Sequence, residues 1–165
     1  MVVRRSHGPS GQSTAAQVRL PNADSGADAT PLDVRLEQLP SAERTRLGAA
    51  GFRTFLGIAD VWSLGVSERR LLLGDIADST YHNWKAGRFS EPSRDLLERL
   101  SLLLGIYKAL RLIFTDESTS IRWLRGENTD STFAGRSPLS RMLDGSIDDL
   151  YAVRRYLDAW RGGWP

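Results

Sequence analysis

After its first 35 positions, this chain carries apolar residues at three- and four-residue spacing, and nowhere does it alternate at period two over a useful length. The spacing predicts helices. From Ser41, a candidate cap with Glu43 in the first turn, Leu47, Phe52, Phe55, Leu56 and Ala59 fall on one face, and Trp62 and Leu64 close the element. GVSERRLLLG then predicts a short helix capped by Ser67, with Leu71 to Leu73 inward and Gly74 as its stop. DSTYHNWKAG predicts another, started by Asp78 or Ser79 and ended by Gly87. Two short helices with a glycine in the turn between them form a helix-turn-helix pattern.

A longer helix follows, with Pro92 read as a first-turn proline. Leu96, Leu100, Leu103 or Leu104, Tyr107, Leu110 and Phe114 trace its stripe, and Gly105 inside the run marks a candidate break or kink. A last segment opens near Ser118. IRWL predicts a short helix ended by Gly126, and the polar ENTDST leads to Phe133. Ser137 and Pro138 form a cap and first-turn pair for a helix ending at Gly145. Ile147, Leu150, Val153, Leu157 and Trp160 line a final helix, followed by RGGWP. The fold class is therefore all-α: a helix-turn-helix module followed by a small helical domain. The expected division is an arm at 1–35, a helix-turn-helix domain at 36–115 and a C-terminal domain at 116–165.

Composition adjusts this picture. Residues 1–35 are rich in Gly, Ser, Ala, Pro and Asp and hold no period, the composition of a solvated arm. Hydrophobic residues make up 41% of the 165-residue chain, enough for a core. There is no cysteine, which excludes disulfides, thiolate metal sites and a thiol nucleophile. No secretory signal or membrane-spanning run is read, so the expected location is the cytoplasm. A net charge of +2 is modest, so DNA binding would need a local patch or a dimer.

The candidate chemistry lies in two places. Around DSTYHNWKAGR, the polar set Ser79, Thr80, Tyr81, Asn83, Lys85 and Arg88 can face DNA, with Trp84 as the core anchor. Asn83 suits an adenine edge; Lys85 or Arg88 suits guanine or phosphate. Arg69 and Arg70 on the preceding helix suit the phosphate backbone, as do the hydroxyls of Ser79 and Thr80 near a helix start. The plainer alternative, a solvated polar helix, stands beside this reading. At the C-terminus, Arg154, Arg155, Asp158 and Arg161 flank the apolar face of the last helix, ahead of Gly162, Gly163 and Trp164. These residues form either a docking surface or a solvated face with a frayed end. No catalytic group, metal site or cofactor motif emerges: the two histidines are far apart, and no strand precedes GRSPLS to make a nucleophile elbow.

SERRLLLG, YHNWKAG, LLERLSLLLGIYKALRLIF, the Trp123–Leu124 pair, GRSPLSRMLDG and VRRYLDAWRGG, in that order, resemble the Xre/MbcA/ParS antitoxins over roughly residues 45 to 163. The resemblance implies a homodimeric helix-turn-helix protein that binds its own operator DNA. It also implies that the C-terminal domain neutralises a cognate RES-domain toxin, an enzyme that depletes nicotinamide adenine dinucleotide, by covering its active site. Toxin contact would fall to Arg154, Arg155, Asp158, Arg161, Gly162, Gly163 and Trp164. A reading from another class is a transcription regulator whose C-terminal domain dimerises or holds a ligand, with no toxin partner.

Overall fold

The computed structural model describes residues 39–162, and the expectations placed on the 1–35 arm and on Gly163 and Trp164 lie outside them. Seven helices and no strand occur among the described residues, as the apolar spacing predicts. They are α1 (Ser41–Val61), α2 (Val66–Leu72), α3 (Asp78–Lys85), α4 (Arg94–Ile113), α5 (Glu117–Arg125), α6 (Pro138–Met142) and α7 (Ile147–Gly162).

Several helix starts differ from the sequence expectation by one or two residues. Ser41 is the first residue of α1 rather than its cap, because Pro40 occupies the cap position. Ser67 is likewise inside α2, whose cap is Gly65; there the Gly65 N–H donates to the Glu68 carboxylate at 2.7 Å. Ala77 precedes α3, so Asp78 lies in its first turn. Pro92 stands just outside α4, where Ser93 accepts from the Leu96 N–H at 3.1 Å. The Ser137–Pro138 reading holds: Ser137 Oγ accepts from Ser140 N–H at 3.0 Å, and Pro138 opens α6.

The long helix α4 is the centre of the molecule. It packs most extensively against α7 and next against α1. Its stripe is wider than one row: Leu96, Leu100, Leu103 and Leu110 are buried, and so are Leu102, Ile106 and Ala109 on a second face. Two buried faces are what a helix needs when it is sandwiched between two others. The core therefore runs without interruption from Phe52 on α1 to Leu157 on α7, and the segments on either side of residue 115 share it. Arg125 on α5 adds a polar tie, donating to the carbonyls of Trp62 (2.6 Å) and Ser63 (3.0 Å) after α1.

Aromatic residues hold the small helices in place. The Phe52 ring meets Tyr81 edge-on at 6.0 Å and Trp84 edge-on at 5.6 Å, and Trp84 lies 4.6 Å from Phe89. Gly48 lets the 89–92 loop approach α1, since an added Cβ would stand 2.9 Å from Pro92 Cγ and 3.0 Å from a Phe89 ring carbon. Around α7, Trp123, Phe133, Tyr156 and Trp160 form a second aromatic group, with Tyr156 stacked on Trp123 and edge-on to Phe133. Gly105 produces no break: α4 continues through it.

Candidate functional site

The turn between α2 and α3 is built by arginines. Arg69 turns inward, its Nε donating to the Leu64 carbonyl at 2.9 Å and its guanidinium pairing with Asp60 at 2.7 Å. Burial works against its charge, but the hydrogen bond to Asp60 and the neighbouring Tyr81 hydroxyl outweigh it and raise its pKa above the ordinary value. Arg70 donates to the Ile76 carbonyl at 2.7 Å and faces Asp75 and Asp78 at 4.0 and 3.8 Å. Both side chains, expected at the phosphate backbone, hold the turn together instead.

Tyr81 corrects the sequence reading most clearly. It is fully buried against Phe52, with its hydroxyl toward Arg69, so it cannot reach a base edge. Position 81 lies three residues before Trp84, hence on the same inward face of α3. What α3 does present is Ser79, Asn83 and Lys85, exposed, and Thr80, half-buried. Arg88, just beyond the helix, donates to Asn83 Oδ1 at 2.8 Å, so the two form one exposed polar unit. The start of α3 is acidic: Asp75 and Asp78 are exposed, and Asp78 faces His82 at 3.5 Å. These carboxylates, which Arg70 faces, lie beside Ser79 and Thr80, whereas the Asn83–Lys85–Arg88 end of α3 is cationic.

The α7 surface sorts its charges by environment. Arg154 is partly buried and donates from Nε to Asp158 at 2.6 Å, while Arg161 lies 3.5 Å from the other Asp158 oxygen. Arg155 is exposed and makes no hydrogen bond or ion pair among the described residues. Gly162 ends the described chain, half-buried. Tyr151 bonds Glu98 across to α4, and Tyr156 is packed among aromatics, so neither is a free plug.

One participant escaped the sequence: Gly105. Its spacing inside an apolar run suggests a kink, whereas its role is to make room for Arg154. No local pattern joins these two positions, because only the packing of α7 on α4 brings them together. Among the described residues no group of three or more His, Asp or Glu could hold a metal, and no helix is long and apolar enough to cross a membrane.

The comparisons with known proteins bear on the same C-terminal region. Residues 109–163 match the antitoxin Xre/MbcA/ParS C-terminal toxin-binding domain, a stretch that starts in the last turns of α4 and takes in α5, α6 and α7. The chain is also similar to the uncharacterized protein y4oB of Sinorhizobium fredii, being 43% identical over 124 residues, which is 75% of this chain and 93% of that protein.

Proposed function

We propose that this chain, whose residues 109–163 match the antitoxin Xre/MbcA/ParS C-terminal toxin-binding domain, is an antitoxin that neutralises a RES-domain toxin by covering the pocket in which that toxin consumes nicotinamide adenine dinucleotide. The observation that carries this reading is the exposed cationic face of α7, with Arg155 and Arg161, inside the matched toxin-binding segment. A planar guanidinium suits the carboxylates of a partner's pocket. Gly162, Gly163 and Trp164 continue from this face as the part that would occupy the cleft, Trp164 as an aromatic anchor.

The second half of the proposal is self-repression in the cytoplasm. A homodimer would place two copies of α3 in successive major grooves of a palindromic operator, with Asn83, Lys85 and Arg88 toward the DNA. In both halves the protein works by binding and performs no catalysis of its own.

The test is inhibition in a purified system. The purified product of the neighbouring gene is given the dinucleotide, and its consumption is followed as full-length protein is added. The expected outcome is stoichiometric inhibition that weakens as dinucleotide concentration rises, since a covered pocket excludes substrate. Inhibition independent of dinucleotide concentration, or none, contradicts the occlusion mechanism.

A further inference from the structure

Two arginines next to each other on α7 stand in opposite situations. An added Cβ on Gly105 would overlap Arg154 Nη1 and stand 3.0 Å from Arg154 Cζ, so the missing side chain on α4 forms a notch that the guanidinium fills. From that seat Arg154 holds Asp158 at 2.6 Å. Arg155, one residue on, is exposed and without a partner among the described residues.

Asp158 is the key to the difference. On a helix, a carboxylate can pair with cations three or four positions away, and for Asp158 these are Arg154, Arg155 and Arg161. Seated over Gly105, Arg154 wins, at 2.6 Å against 3.5 Å for Arg161. If Arg154 is pushed out of the notch, Asp158 is left to Arg161, already 3.5 Å away, and to Arg155, which would then compete for it and be drawn from its outward position.

We propose that Gly105 is a positioning residue for the partner-binding face: its notch takes in Arg154, Arg154 occupies Asp158, and Arg155 is thereby left to meet a carboxylate of the toxin. This rests on the toxin-binding reading above, and it extends the functional surface to a residue outside the matched segment. It also divides the arginines by role. Arg154 is intramolecular, whereas Arg155 is the intermolecular contact.

The experiment uses full-length protein and the purified product of the neighbouring gene, tested as its toxin. Affinity is measured at low and high salt for the native chain, Arg155→Ala, Gly105→Ala, Arg154→Ala and the Gly105→Ala/Arg154→Ala pair. Arg155→Ala is expected to weaken binding by about tenfold or more and to flatten its salt dependence. Gly105→Ala is expected to weaken it severalfold with the melting temperature preserved, and to cost nothing further once Arg154 is gone. A readout without the toxin is the hydrogen exchange of the Arg154 Nε–H, slow in the native chain and fast in Gly105→Ala. If that exchange is unchanged, or if the Gly105→Ala and Arg154→Ala losses simply add, the notch is not a positioning device. If the notch behaves as expected but the native chain does not bind the toxin, the toxin-binding reading fails, and Arg155 loses its assigned partner with it.

Discussion

Asp116 shows how a single side chain starts an element. Its carboxylate accepts from Ser118 Oγ at 2.6 Å, from Thr119 N–H at 2.7 Å and from Thr119 Oγ1 at 2.8 Å, capping α5. These donors, the Ser118 hydroxyl foremost, stabilise the charged form and hold its pKa at about 2. The unfolded value is about 3.9. The cap's contribution is therefore complete above that pH and is lost as pH falls through about 2. Asp116→Ala should lower the melting temperature at neutral pH, and the gap to the native chain should close in acid. A gap that stays constant down to pH 2 would contradict it. Asp144 behaves the same way for a different reason: the Arg136 guanidinium, at 2.7 and 2.8 Å, pulls its pKa below the usual carboxylate range. Capping was only partly legible from sequence. Ser137 announces itself because a proline follows it, but Ser41 follows a proline, and Pro40 starts its helix one residue early.

At the scale of elements, α3 depends on α1 for its position. Phe52 is the side chain that Tyr81, Trp84 and Phe89 all touch, so Phe52→Ala should cost about 3–5 kcal/mol, measured by chemical denaturation. A cost below about 1 kcal/mol would mean that α3 is held by something else. Given that support, the outward end of α3 should act through charge. Lys85→Ala should weaken operator binding and lower the slope of log affinity against log salt by about one, while Tyr81→Phe should leave that slope untouched. An unaltered slope in Lys85→Ala would remove this lysine from the DNA surface. The existence of α3 and its Trp84 anchor were readable from the sequence. The direction of Tyr81 was not, because a phenol is amphipathic and periodicity over eight residues does not decide which way it turns.

The whole molecule is joined through α4. Period alone shows that a helix has an apolar face, but not which helix covers it. For that reason the sequence suggested a boundary at 115, where the structure has one core continuous from Phe52 to Leu157. Unfolding should accordingly be a single transition, with the far-ultraviolet helix signal and tryptophan fluorescence falling together in denaturant. Two separated transitions would instead fit the division at residue 115 into separate modules. The same coupling places the proposed DNA-facing and toxin-facing surfaces on one packed body, so on that proposal occupancy of either would alter the affinity of the other, equally in both directions. We propose that this body silences a toxin through its C-terminal helix and end. The test is made in cells that express the product of the neighbouring gene, by measuring intracellular nicotinamide dinucleotide and growth. Full-length protein should restore both, and a chain ending at Trp160, which keeps nearly all of α7 but lacks the last five residues, should not. Equal rescue by the shortened chain, or a toxin that leaves the dinucleotide intact, would contradict the account.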